Sequence, residues 1–193
     1  MQVGTQRGLA GVRYAIDRAA SRFTVRATAT GLLSPFGHSP TIAIRDYDGA
    51  VQFIPGTYEK AFVQVTVKPE TMEPVDEMKR EDREKMTQLM RHEMLEVERF
   101  PSVVYESKSV QVQKLGDNLL QVNVSGELTL HGTTQRHSFD ARVMELGTML
   151  RISGTFALRQ SDYGIKPVSF AAGTLRLKDE LKFTFDIVAR HVE

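Results

Sequence analysis

The side chains with the widest chemical repertoire in this chain are its five histidines, since it contains no cysteine to act as a nucleophile or metal ligand. They are His38, His92, His131, His137 and His191. A zinc motif of the H-E-x-x-H type needs histidines four residues apart, but Glu96 stands four residues after His92. No other pair has a zinc spacing, so the sequence predicts neither a metal site nor a cofactor.

Two histidines lie in predicted loops or turns. His38, between Gly37 and Ser39, is either a solvated loop residue or a contact for a ligand head group. His131 follows a predicted strand on its polar side, where a hydrogen bond that fixes the turn is favoured. A small hydrolase or isomerase that uses one of these histidines is an alternative, but a general base needs a partner that tunes it, and none is visible.

Arg159 and Tyr163 follow an apolar run that ends at Leu158. An arginine at a barrel mouth can pair with a phosphate, so both residues join His38 as head-group candidates. An Arg159–Asp162 ion pair that fixes the turn is slightly favoured over that role. Because no nucleophile elbow, phosphate loop or carboxylate pair has a recognisable context, we assign no catalytic residue and expect a protein that is not an enzyme.

The elements that would position these residues are mostly strands, because apolar residues alternate with polar ones in many segments. The longest run places Leu120, Val122, Val124, Gly126, Leu128 and Leu130 on one face. Turn signals such as Asp48-Gly49 and Gly116-Asp117 separate the runs and indicate hairpins. The pattern predicts about eight to ten antiparallel strands.

One strand changes phase. Its apolar positions are odd at Val103 and Tyr105 but even at Val110 and Val112. Since a one-residue slip would turn every later side chain to the other face, we predict a β-bulge near Lys108–Ser109.

A single long helix is predicted at about residues 75–98. Pro74 would lie in its first turn, with Asp76 and Glu77 close by, and Pro101 would end the segment. Its methionines recur at helical spacing: Met78, Met86, Met90 and Met94. We expect them to pack against the barrel wall, the alternative being an adaptable lid over a ligand.

The composition is that of one globular domain. The 193 residues are 41% hydrophobic and 25% charged, and the net charge of +1 comes from scattered residues, which argues against binding nucleic acid. We expect residues 1–11 to form a loose segment and residues 12–190 the barrel. No apolar stretch is long enough to span a membrane, and the start lacks a signal peptide, so we expect a cytoplasmic protein, or a periplasmic one if the chain is a processed form.

Strands with one apolar face must either stack as two sheets or close into a barrel. Several predicted inward positions hold small residues, among them Ala27, Ala61 and Gly126. Such residues leave room for a ligand in an eight-stranded barrel, or they relieve crowding in a filled core. Periodicity leaves these two alternatives equal.

Several segments, in order, resemble the YceI-like family of lipocalin-like barrels that bind polyisoprenoid lipids. Gly126–Thr134 (GELTLHGTT) is similar to the family's G-x-L-T-x-H-G-x-T, and Phe156–Ile165 (FALRQSDYGI) to its F-x-x-x-R-S-D-[FY]-G-I apart from the additional Gln160. Weaker matches are Phe100–Ser107, Tyr14–Asp17 with Ser21 and Phe23, and Arg80–Asp82. The resemblance spans roughly residues 12–190. The chain departs from the family in residues 34–46, where many members have a shorter turn, and in lacking an export signal.

This resemblance implies an all-β, antiparallel lipocalin-like barrel with one inserted helix, and an apolar tunnel for a polyisoprenoid or fatty-acyl chain. It therefore favours a ligand cavity over a filled core. The tunnel wall is predicted to comprise Phe23, Val25, Val63, Val65, Val122, Val124, Leu128, Phe139, Phe156, Phe183 and Phe185.

The leading hypothesis is a non-enzymatic protein that carries or sequesters such a lipid. An alternative is a structural or stress-related barrel with a filled core. Apolar residues outside the inward phase, namely Val188, Phe62, Ile42 and Ile44, would then offer a weak patch for a homodimer. A transient contact with a membrane is also compatible with the sequence.

Overall fold

The computed structural model of the chain describes residues 11–30, 39–167, 169–170 and 175–193, most of which form antiparallel strands. The strands are β1 (Val12–Ile16), β2 (Arg22–Thr30), β3 (Thr41–Ala43), β4 (Tyr47–Ile54), β5 (Thr57–Val67), β6 (Glu73–Pro74), β7 (Val103–Lys114), β8 (Leu119–Leu130), β9 (Thr133–Leu146), β10 (Met149–Arg159), β11 (Ser169–Phe170) and β12 (Leu175–Val192). Strands β1, β4, β5, β7, β8, β9, β10 and β12 pair in that order, and β12 pairs with β1 to close the ring. The prediction of an antiparallel barrel is confirmed.

The ring closes because β12 is long enough to pair with two successive strands, β2 and β1, along the edge that does not pair with β10. Its C-terminal part pairs with β1, with Arg13 opposite Val192, and its middle pairs with β2, with Phe23 opposite Phe185. Between β1 and β2 the chain makes a 3₁₀ turn, where the Asp17 carboxylate accepts a hydrogen bond from the N–H of Ala20 at 3.3 Å. Strands β2, β3 and β6 continue the sheet beyond the closed ring.

The predicted β-bulge is present. Ser107 lies opposite Gly126 and Ser109 opposite Ser125, so Lys108 is the additional residue. The strands approach so closely here that a Cβ on Gly126 would collide with the carbonyl oxygen of Glu106 and lie 2.8 Å from the Cα of Ser107. The bulge therefore returns the side chains of β7 to the inward phase, as the sequence indicated.

The helix is shorter than predicted. Helix α1 spans Arg80–Gln88 and continues as a π-helical segment, Leu89–Met94. Pro74 does not lie in its first turn, because it belongs to β6 and pairs with Ile42. The helical segment ends well before Pro101, since Glu96 has a φ of 44°, in the left-handed region that a right-handed helix cannot include.

The barrel has two different ends. The helix end carries α1, the β8–β9 turn at residues 131–132 and the 3₁₀ turn Gln160–Tyr163. The hairpin end carries the tight turns at residues 55–56, 115–118 and 147–148. No helix in the described ranges is both long and apolar enough to cross a bilayer.

The hairpin end is filled by side chains. Tyr14, Phe53, Leu150 and Ala189 form one buried cluster there, in which the Tyr14 and Phe53 rings stack at 5.7 Å. Leu120, Val122 and Val124 belong to the neighbouring cluster and are 4%, 7% and 4% exposed. Side chains thus close this end of the barrel.

Two residues of the predicted dimer patch are not on the surface. Ile42 and Ile44 are only 6% and 5% exposed, because β3 lies between β2 and β6 and turns both side chains inward. Phe62, by contrast, is 40% exposed. The predicted loose segment at residues 1–11 lies, apart from Gly11, outside the described residues.

Candidate ligand-binding cavity

The helix end encloses a cavity of about 670 Å³, within the usual size range of small-molecule sites. Strands of the barrel form most of its wall, and α1 with its π-helical continuation forms the rest. Apolar side chains dominate the lining; its polar side chains among the described residues are Tyr47, Asp82, Tyr105, His137 and Gln160. No lysine or arginine of the described residues lines it. The cavity is therefore suited to an apolar ligand.

Phenylalanine rings form one continuous part of the wall. In the register of β10, β12 and β2, Phe183 lies opposite both Phe156 and Val25, and Phe185 opposite both Gly154 and Phe23. The Phe156 and Phe183 rings stack at 4.7 Å with their planes 1° apart. Gly154 makes room for this arrangement, because a Cβ there would lie 2.6 Å from the Phe185 ring.

Methionines form another part of the lining. Met72 joins the predicted stripe, Met78, Met86, Met90 and Met94, along the cavity. Met90 is 7% exposed and packs with Val25 and Ile42. The stripe therefore packs on the barrel and faces the cavity at the same time, so the two interpretations of the stripe do not exclude each other. Methionine side chains adapt readily to apolar surfaces of different shape.

Most residues of the predicted tunnel wall lie together on the lining: Phe23, Val25, Val63, Val65, Leu128, Phe139, Phe156, Phe183 and Phe185. Val122 and Val124 are not among the residues that line the cavity. They lie on the same face of β8 as Leu128 but farther toward the hairpin end, and are 7% and 4% exposed. Alternation predicts the face of a side chain but not its depth along the barrel.

Two of the three head-group candidates, Arg159 and Tyr163, are not on the cavity lining. Arg159 is exposed, and its Nε lies 3.2 Å from a carboxylate oxygen of Asp179, so the predicted pair with Asp162 is wrong. Hydrogen bonds from Ser161 hold the pKa of the Asp179 carboxyl below its ordinary value, against the opposing effect of slight burial. Tyr163 is 3% exposed and also lies outside the lining, and burial raises its pKa. His38 lies outside the described residues.

His131 connects three segments at the helix end rather than stabilising only its own turn. Its Nε2 lies 2.6 Å from a carboxylate oxygen of Glu96, and its Nδ1 lies 3.3 Å from the carbonyl oxygen of Tyr163. Its ring packs on Phe100 at 4.4 Å. His131 and Glu96 both have positive φ, 51° and 44°. The contact thus ties the segment after the helix to the β8–β9 turn, and it lies outside the cavity lining.

His137 is a cavity residue that the sequence reasoning missed. It lies on β9 in the inward phase of Phe139 and Ala141, and its ring packs edge-on against Phe156 at 5.0 Å. Burial lowers its pKa. The signal was available, since extending the alternation of β9 two residues before Phe139 places His137 on the inward face.

The Tyr105 hydroxyl lies close to His137. It donates a hydrogen bond to the backbone carbonyl oxygen of His137 at 3.3 Å. The backbone carbonyl oxygen of Val124 lies at a similar distance from it, 3.4 Å. Burial raises the pKa of Tyr105 to about 12. Within the described ranges, no cluster of three or more metal-ligating side chains is present.

Known structures share this architecture. BcnA of Burkholderia cenocepacia superimposes with a TM-score of 0.68 at 16% identity, covering 90% of this chain and 98% of that one. A polyisoprenoid-binding domain from Saccharophagus degradans gives 0.67 at 15% identity, covering 92% and 97%. The YceI protein of Campylobacter jejuni gives 0.58 at 16% identity, covering 79% and 85%. At these identities the similarity shows a common fold.

No curated protein matches the sequence. The family signature described as "YceI-like domain", however, matches residues 14–189, nearly the whole chain. This match includes both motifs on which the resemblance rested, at Gly126–Thr134 and Phe156–Ile165. The chain belongs to the YceI-like family.

Proposed function

We propose that this protein binds one long apolar lipid, of the polyisoprenoid or fatty-acyl class, and carries or sequesters it without chemical change. The observation that carries the proposal is the cavity of about 670 Å³ with its almost wholly apolar wall. The similar Saccharophagus degradans domain, which is named for binding polyisoprenoids, supports the same ligand class.

The energetics favour a chain-like ligand. Burying each CH₂ group contributes about 0.8 kcal/mol, so a long tail binds without many polar contacts. Aromatic rings and methionines of the lining can contact the tail without directional bonds. We therefore expect loose selectivity along the tail.

The polar groups argue for binding rather than catalysis. Acid–base chemistry needs a proton-transferring side chain within hydrogen-bond reach of the substrate and of a partner that tunes it. The His131–Glu96 contact has such a partner but lies outside the cavity lining. His137 lines the cavity, but no carboxylate of the described residues is hydrogen-bonded to its buried Nε2.

Solvent extraction of the freshly purified protein followed by mass spectrometry tests this proposal. We expect a lipid with a long apolar tail, close to one molecule per protein, that is missing from a mock purification. Extracts without lipid, together with failure of the stripped protein to take up any isoprenoid or fatty acid, would contradict it.

A matched pair of variants locates the lipid. Ala27 is 7% exposed and lines the cavity, whereas Ala157 is exposed on β10. We expect Ala27→Phe to weaken binding of an apolar fluorescent probe such as N-phenyl-1-naphthylamine at least roughly tenfold, because the ring occupies ligand space. Ala157→Phe should bind like the wild type, and equal losses in both variants would place the lipid elsewhere.

A further inference from the structure

One buried polar atom of a cavity-lining residue has no hydrogen-bond partner among the described residues. The Nε2 atom of His137 is shielded from solvent, and none of the described residues hydrogen-bonds to it. Buried polar atoms are almost always hydrogen-bonded, because an unsatisfied one keeps the full cost of losing water. The surrounding rings of Phe139 and Phe156 have no group that can satisfy it.

A second polar group, the Tyr105 hydroxyl, lies close to the backbone of His137. Gly126 is the strand partner of His137, and a Cβ on Gly126 would lie 2.8 Å from the Tyr105 hydroxyl oxygen. Tyr105 and His137 both line the cavity. Because the Tyr105 hydroxyl donates its only proton to a backbone carbonyl, its oxygen can still accept a hydrogen bond.

The chemistry of this position favours a neutral ligand group. Desolvation lowers the pKa of His137, so the imidazole is neutral near pH 7, with one nitrogen that accepts and one that donates. Phosphate and carboxylate groups are normally held by arginine or lysine, and none of the described residues of either type lines the cavity. A hydroxyl or carbonyl oxygen can pair with neutral imidazole without such a charge.

We propose that His137 Nε2 anchors a neutral oxygen of the bound lipid, a hydroxyl or carbonyl, inside the cavity, on a wall that also includes Tyr105. This inference rests on the proposed function, because it assumes that an apolar chain fills the rest of the cavity. It assigns to the ligand one polar group buried among apolar atoms, in addition to its tail.

The test compares two probes with the same branched carbon skeleton, phytol and the hydrocarbon phytane, as competitors of N-phenyl-1-naphthylamine. The wild type should bind phytol roughly tenfold more tightly than phytane, the advantage of about one hydrogen bond. His137→Phe keeps an aromatic ring on Phe156 and removes both nitrogens. It should bind phytane as the wild type does and lose the preference for phytol. His92→Phe, at an exposed helical position, should keep the preference.

Two further measurements separate the anchor from a general structural role. His137→Phe should melt at the same temperature as the ligand-free wild type or higher, because it removes an unsatisfied buried polar atom. In the wild type, the imidazole ¹⁵N signal that is missing from His137→Phe should shift on addition of phytol but not of phytane. If the variant fails to fold, the same signal is assigned instead by through-bond correlation in the wild type, so the measurement still decides the matter.

Different outcomes overturn different statements. If phytane binds but phytol has no advantage, or if the advantage persists in His137→Phe, the anchor is wrong and the proposed function stands. If neither compound displaces the probe, the anchor is wrong, and the lipid extraction and uptake experiment decides whether the proposed function stands.

Discussion

The two ends of the barrel are built from the same alternating strands, yet one is filled and the other holds a cavity. At the hairpin end, Ala189 is fully buried and Leu150 is 2% exposed. At the helix end, Phe23 and Phe156 remain partly exposed although they point inward, because they face the cavity. Inward orientation and close packing are therefore separate properties of a barrel residue.

The difference follows from what surrounds each end. At the hairpin end β1 pairs with both β4 and β12, so the ring is continuous there. At the helix end β12 pairs instead with β2, which continues into β3 and β6, and the methionine-bearing helical segment completes the wall. Replacing a strand neighbour by a helix leaves a volume that side chains do not fill.

The largest expected effect is on packing at the hairpin end. Leu150→Ala should lower the free energy of unfolding by about 2–5 kcal/mol, because it opens a void in a tightly packed cluster. Leu181→Ala, on the cavity lining, should cost clearly less, since its side chain already borders empty space. Equilibrium urea unfolding of both variants measures this, and equal costs would show that the two ends are packed alike.

The next effect is a loss of unfolding free energy at alkaline pH, caused by Tyr105 at the helix end. Because the pKa of Tyr105 is about 12 in the folded protein, against an ordinary 10.0, the unfolded chain ionises first as pH rises. The resulting stabilisation is fully present below about pH 10 and is lost as the pH rises from about 10 to 12. By about pH 11.5 the loss in unfolding free energy is about 2 kcal/mol. Tyr105→Phe should lack this part of the alkaline loss when unfolding free energies are measured at about pH 9 and pH 11.5.

Tyr58 at the hairpin end offers the matched control. Its pKa is raised by burial and by the hydrogen-bonded Glu145 carboxylate, so Tyr58→Phe should also flatten the alkaline profile. A bound lipid should increase only the Tyr105 contribution, because only Tyr105 lines the cavity. A lipid that changed both contributions equally would not be in the cavity.

The smallest effect concerns the His131–Glu96 contact. His131→Asn keeps a residue type that tolerates positive φ but removes the contact, and it should cost about 1 kcal/mol. Amide hydrogen exchange should accelerate in residues 95–100 and stay unchanged around Leu150. His92→Asn is the control, and equal acceleration at both ends would show that the ends do not open independently.

How well the sequence predicted each feature depended on how local the feature is. The β-bulge at Lys108 was predicted because a phase change is visible within one strand. The start of the helix was misplaced because Pro74 is in a strand bridge with Ile42, a residue 32 positions earlier in the chain. The Arg159–Asp162 pair was wrong because Asp179, from another strand, competes for the same guanidinium.

The candidate site shows the same division. Alternation placed Phe23, Phe139 and Phe183 on the inward face, where they line the cavity. It also placed Val122 and Val124 there, although neither lines the cavity. His137 was missed because the alternating run was begun two residues too late.

The sequence by itself determined which side of each strand faces inward, since side-chain direction follows from the two-residue repeat of the backbone. It also determined the family, through ordered motifs spread along the chain. Only the tertiary structure decided which end of the barrel is hollow, that His131 contacts Glu96, and that His137 Nε2 is buried without a partner among the described residues. Those properties depend on the distance between walls formed by segments far apart in the chain, and no local pattern encodes that distance.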